Sequence, residues 1–279
     1  MATLTEYSTQ TFAVTAIPTI RINSFAGDLR VVPGEGTSVT IEITKKVSAP
    51  TEDAAKHVLE RLSAEITQAG DYITIKTRER QHRSFFNISQ NRQIDIVVTT
   101  PAATHLDFTV NSGDSDISGI NGMLTAHMNS GDLHIQDMRI GETAIFELNS
   151  GDLEMQHITI AAPVTFEMNS GNMTLHDVTF QDRVTMDTNS GDIRGDIVLA
   201  ASVRMHVETN SGNVHLALPA TTAAHLEAVV NSGDITIDGF PVSARSRFSQ
   251  ASASGDLNPA PTSSIAVELN SGDLVIAAR

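Results

Sequence analysis

One tetrapeptide governs what this chain can fold into. Asn-Ser-Gly-Asp, or its variant Asn-Ser-Gly-Asn, recurs with its first residue at Asn111, Asn129, Asn149, Asn169, Asn189, Asn210, Asn231 and Asn270. The steps are 18, 20, 20, 20, 21, 21 and 39 residues, the last split by a degenerate copy, Ala253-Ser254-Gly255-Asp256. A further copy, Phe25-Ala26-Gly27-Asp28, precedes the array. A fixed period of about 20 residues marks a repeat architecture, in which each unit buries its apolar face against its neighbours.

Inside the period the pattern is that of strands. Counted from Asn149, positions +4, +6, +9, +11, +15, +17 and +19 hold Leu153, Met155, Ile158, Ile160, Val164, Phe166 and Met168. The same positions counted from Asn129 and Asn169 are apolar in all but Thr188. Polar residues such as His134, Gln136, Glu147, Glu154, Glu167, His176 and Asp187 stand between them. This alternation is the period of a half-buried strand. Its parity slips between +6 and +9 and again at the Ser-Gly corner, so each coil reads as three short strands and three corners. An antiparallel meander could use the same alternation, but its one-sided sheet would need a second layer that no other segment supplies. The expected fold is all-β: a single-stranded parallel β-solenoid of coils of about 20 residues, with one short helix inserted in the N-terminal third.

The corners follow from local chemistry. Gly113, Gly131, Gly151, Gly171, Gly191, Gly212, Gly233 and Gly272 supply a backbone that tolerates positive φ. The Asn residues of the same corners can bond one another along the stack. These residues are read as structural.

Residues 111–279 form the regular array, and residues 1–110 break the period. Ile20, Ile22, Leu29 and Val31 make one irregular coil, and Val39, Ile41 and Ile43 a further strand. Thr51-Glu52-Asp53 opens a helix near 52–66, with Ala55, Val58, Leu59 and Leu62 on its buried face. It is expected to cap the open first coil. Ile73 and Ile75 point inward from the strand that follows, and Ile94, Ile96 and Val98 form another. Between those strands, Arg78–Asn87 is basic and carries adjacent aromatics. Arg80, Arg83, Phe85 and Phe86 are its candidate contact residues.

At these residues the chain resembles a family. The repeated Ser-Gly-Asp-apolar-x-apolar unit, the start Gly27-Asp28-Leu29-Arg30-Val31-Val32-Pro33-Gly34 and the helix before Gly70-Asp71-Tyr72-Ile73-Thr74-Ile75 are similar to the bacterial putative-adhesin domains of unknown function. The resemblance spans nearly the whole chain. It implies a β-solenoid with a surface or envelope role and brings no catalytic residues.

Composition narrows the function classes. The net charge of −15 falls almost wholly on residues 111–279, with 21 Asp/Glu against 7 Lys/Arg. Such a surface repels phosphate backbones, so nucleic acid is not an expected partner. Cysteine is absent, which excludes disulfides and thiolate metal sites. Apolar runs are too short to span a membrane, and no leader is apparent. The expected location is therefore the cytoplasm, or the cell surface after non-classical export. No nucleophile elbow, phosphate loop or His-Glu-x-x-His helix occurs. Two constellations could hold metal: the +8 column Asp137, His157 and Asp177, and the corner column that includes Asp114, Asp132, Asp152, Asp192, Asp234 and Asp273. A simple ion-pair stack is preferred for the first. The chain lacks the repeat of calcium-loaded β-rolls, so no cofactor is expected.

The expected function is a non-enzymatic scaffold that binds another macromolecule, a protein or a cell-surface polymer, or itself. The alternatives are a carbohydrate-active β-helix enzyme, which needs paired carboxylates in a groove, and a calcium-dependent binding module. Leu274-Val275-Ile276-Ala277-Ala278 follows the last corner and reads as an uncovered edge strand, which predicts weak end-to-end self-association.

Overall fold

Alternating apolar and polar residues commit most of the chain to strands, and the computed structural model, which describes residues 1–80, 91–247 and 250–279, places them as stacked solenoid coils. Its contacts divide into two units. One comprises Met1–Gly122 and Ala126–Gly131, the other Met123–Thr125 and Asp132–Arg279.

In the second unit, each regular coil contributes one strand to each of two sheets. Leu133–Ile140, Leu153–Ile160 and Met173–Phe180 pair in parallel on one side, and Ala144–Ser150, Val164–Ser170 and Val184–Ser190 on the other. Equivalent positions stack: Phe146 lies beside Phe166, and Phe166 beside Met186. The seven inward positions of the coils that begin at Asn129, Asn149 and Asn169 are all buried. Each such aliphatic or aromatic side chain contributes about 1.5–3 kcal/mol on burial. Phe146 and Phe166 stack with centroids 5.0 Å apart, and Phe180 meets Phe166 edge-on from the opposite sheet at 6.4 Å.

The coils have two strands rather than three. The parity slip after +6 is a single left-handed residue inside one continuous strand: Asp137, His157 and Asp177 have φ of 55°, 55° and 53°. One such residue rotates the following side chains to the other face without ending the ladder, since Gln136↔Gln156 and Met138↔Ile158 stay in register. The next coil lacks that residue. Ile193, Gly195 and Ile197 alternate directly, and the ladder shifts register between Leu175 and Val178.

The end of this unit departs from simple stacking. Leu274–Ala278 pairs with Val214–Leu218 on one side and with Ile235–Asp238 on the other. Ser263–Ser271 likewise lies between Arg204–Ser211 and Ala224–Val230. The last coil is therefore inserted between the two that precede it. This overturns the expected C-terminal edge: Leu274 and Ile276 are fully buried in a strand paired on both sides. The long step before Asn270 has the same origin. Its degenerate copy is no coil, because Gln250–Asp256 runs antiparallel along Ala224–Val230 and Arg245–Arg247 pairs outside it.

The first unit uses the same device. Thr19–Ser24 sits between Tyr72–Glu79 and His105–Val110, and Leu29–Pro33 between Asn91–Thr100 and Ser115–Ser118. The first coil is thus interior and needs no cap. Outside it, Ser38–Ala49 pairs antiparallel with Asn91–Thr100, and Ala2–Ala13 antiparallel with Ser38–Ala49. The helix Glu52–Leu59 packs on these two outer strands. Thr51 caps it, accepting from the Ala54 N–H at 3.2 Å, with Ala55 and Val58 buried beneath. It ends earlier than residue 66 because Leu62 already belongs to Leu62–Ala69, which pairs with Tyr72–Glu79.

Candidate interaction surface

The corners build the regularity on which any outer surface depends. Gly171 has φ 125°, and its N–H donates to the Ser190 carbonyl of the following coil at 3.1 Å. The amides of the second unit form a ladder: Asn169 donates to Asn149 at 2.9 Å, Asn189 to Asn169 at 3.0 Å, Asn210 to Asn189 at 3.1 Å and Asn270 to Asn210 at 3.0 Å. Asn270 reaches Asn210 rather than Asn231 because the last coil is interleaved. In the first unit, Asn129 donates to Asn111 at 3.2 Å. Gly113, Gly131, Gly191, Gly212, Gly233 and Gly272 share the positive φ of Gly151 and Gly171.

The acidic column of the corners has a structural occupation. The Asp152 N–H donates to Asp132 Oδ1 at 2.9 Å, that of Asn172 to Asp152 at 2.7 Å and that of Asn213 to Asp192 at 3.0 Å. Asp234 and Asp273 continue the pattern at 2.9 Å. Each acceptor engages a backbone amide of the adjacent coil in a charge-assisted hydrogen bond.

Strand registry also orders the outer face. On the sheet that contains Ala144–Ser150, the outward positions Glu147, Glu167, Asp187, Glu208 and Glu268 are successive partners across five strands. Strand spacing puts neighbouring carboxylates at steps of about 4.8 Å. Beside them runs a second outward row: Ile145, Thr165, Thr185, His206 and Ala266. Like charges directly opposite one another destabilise a sheet unless something compensates. The half-buried Asp187 carboxyl titrates above its usual value, chiefly through loss of hydration and then through Glu208, with His206 opposing.

Among the described residues, Asp187, His206 and Glu208 are the one group that brings three potential metal ligands within 4.8 Å of one another. His206 Nε2 lies 3.9 Å from Glu208 Oε2. The columns singled out from sequence do not assemble this way: His157 pairs with Asp137 at 3.2 Å, without Asp177 as a third ligand. Pattern reading missed the ladder's extension to Glu268, because coil order hides which residue follows Glu208. The i, i+2 spacing of His206 and Glu208 was the available signal.

Of the basic contact segment, Arg80 is exposed, its N–H bonded to the Arg61 carbonyl at 3.0 Å. Arg83, Phe85 and Phe86 lie outside the described residues. Among the described residues, no helix is long and apolar enough to cross a membrane.

The sequence pattern of the family described as Toastrack DUF4097 matches residues 17–277. The chain belongs to this Toastrack family. Its architecture is similar to two solved structures. A putative adhesin from Bacteroides fragilis has 12% identity and a TM-score of 0.52, with 97% of each chain covered. A putative adhesin from Parabacteroides distasonis has 12% identity and a TM-score of 0.50, covering 98% of this chain and 97% of its own. At such identity the likeness concerns the β-solenoid fold. No curated protein matches this Toastrack chain.

Proposed function

We propose that the protein is a non-catalytic, adhesin-like binding scaffold whose outer sheet faces hold another macromolecule. The observation that carries this reading is the in-register array of outward side chains. One row of that face repeats carboxylates at strand spacing across five strands, Glu147, Glu167, Asp187, Glu208 and Glu268, which suits an extended partner with its own repeated groups. The carboxylate row sets the sign of that partner: a protein or surface polymer that presents cationic groups. Nucleic acid is disfavoured by the same charge. The names of the similar solved structures support a cell-surface setting.

The test immobilises the full chain and measures binding to polylysine, to a neutral polysaccharide and to an acidic one. Binding to polylysine that weakens steeply with salt, and that is lost in a Glu167→Lys/Asp187→Lys/Glu208→Lys variant, is expected. Equal binding by that variant, or reducing ends released from either polysaccharide, overturns the reading.

A further inference from the structure

Four described strands lie at the rims of the two sheets, and Ala2–Ala13 is the longest of them. Ala2–Ala13 pairs with Ser38–Ala49 along one side, and among the described residues no strand lies along its other side. It is 12 residues long, without proline or lysine. Natural edges are usually blunted by such residues, by bulges or by brevity. From Glu6 to Thr11 both faces of the strand are exposed. Tyr7, at its centre, is 76% exposed, the most exposed aromatic residue among the described residues.

The order of residues on this strand says what fits the edge. One face carries Thr3, Thr5, Tyr7, Thr9 and Thr11, a sequence that reads the same in both directions. An antiparallel strand with the same sequence, related by a two-fold axis at Tyr7, would place Thr3 opposite Thr11, Thr5 opposite Thr9 and Tyr7 opposite Tyr7 of the second copy. Threonine–threonine and aromatic pairs are among the favourable cross-strand pairs. On the other face the same axis sets Ala2 against Phe12 and Glu6 against Ser8, so the strand's one charge never meets itself. Glu6 is in any case held by Lys45 at 2.5 Å.

We propose that Ala2–Ala13 is a self-association edge, pairing antiparallel with the same strand of a second copy about a two-fold axis at Tyr7. The contact is isologous and closes at two copies, because each strand has one open side. Joining one strand edge to another buries less than the roughly 1,200 Å² of a standard interface, so the dimer belongs to the weak, reversible class. It goes beyond the scaffold reading and is independent of the carboxylate face.

The absence of cysteine makes the register directly testable. In a Tyr7→Cys variant of the full chain the two thiols face each other across the axis, within reach of a disulfide. In Thr3→Cys they are eight residues apart along the paired strands, about 27 Å. Mild oxidation is expected to yield a covalent dimer from Tyr7→Cys and none from Thr3→Cys. Sedimentation of the unaltered chain should show a concentration-dependent dimer. Tyr7→Lys should raise its dissociation constant about tenfold or more, through like charges on the axis, with the melting temperature unchanged because the side chain is exposed. A monomer at all concentrations overturns the proposal. So does a dimer indifferent to Tyr7→Lys, or one cross-linked equally through residue 3.

Discussion

At Gly171 two constraints coincide, and only one can be read from the sequence. The positive φ follows from the Ser-Gly corner motif. The second constraint is proximity: a Cβ built there would lie 1.9 Å from the Gly151 carbonyl oxygen of the preceding coil. Even Gly171→Ala should therefore cost upwards of about 3 kcal/mol, strain and collision combined, and Gly171→Val more. Gly141→Ala is the control, since nothing lies within 4 Å of that position and its change should stay within about 0.5 kcal/mol. Thermal melts of the two variants decide the matter; equal shifts would show that the corners are not closely stacked. Asp187 offers a second residue-scale test. Its folded carboxyl holds a proton more tightly than the unfolded one, so its contribution is favourable below the ordinary value of 3.8 and is lost as pH rises through the raised folded value. Asp187→Asn should then stabilise at pH 7, by no more than about 1 kcal/mol, since solvent still screens a half-buried surface site. The gain should shrink as pH falls below the ordinary carboxylate range, and urea melts at pH 7 and pH 3 would reveal a gain with the opposite trend.

Along a single strand the sequence was an accurate guide, because period-two alternation states which face each residue takes. Phe166 is fully buried between Phe146 and Met186, whereas its neighbour Glu167 is exposed between two carboxylates. Phe166→Asp should cost several kcal/mol, as an unpaired carboxylate replaces a stacked ring. Glu167→Lys should be neutral or stabilising by about 0.2–1 kcal/mol, since it puts opposite charge beside Glu147 and Asp187. Denaturant midpoints of the two variants test this; similar losses would mean that the strand faces the other way. The left-handed residues Asp137, His157 and Asp177 were legible only as a slip in parity. A slip can equally signal a corner between two strands, which is why each coil read as three strands. The carboxylate row was legible strand by strand, as outward Glu147, Glu167 and Asp187, but not across the coils whose order is changed.

That order is what one-dimensional pattern cannot convey about the molecule. Stacked coils bury the same positions whichever coil lies beside them, so the alternation in Leu274–Ala278 is identical whether the strand is an edge or an interior rung. The first coil has the same ambiguity: Ile20 and Ile22 are buried between two neighbouring strands, not beneath a helix. Hidden placement changes the meaning of a mutation. For an edge strand, Ile276→Lys would leave the coils behind it intact. In the observed arrangement Ile276 is fully buried, and among the described residues its strand is the one link between Val214–Leu218 and Ile235–Asp238 in that sheet. A buried, unpaired ammonium there should cost several kcal/mol and release both neighbours together. Hydrogen exchange on the variant should show protection lost in Val214–Leu218 and Ile235–Asp238 at once, with Leu133–Ile140 and Leu153–Ile160 retained. Loss confined to Leu274–Ala278 would show that the last coil is laid on the outside rather than inserted, since only an outer rung can detach without exposing a partner on each side.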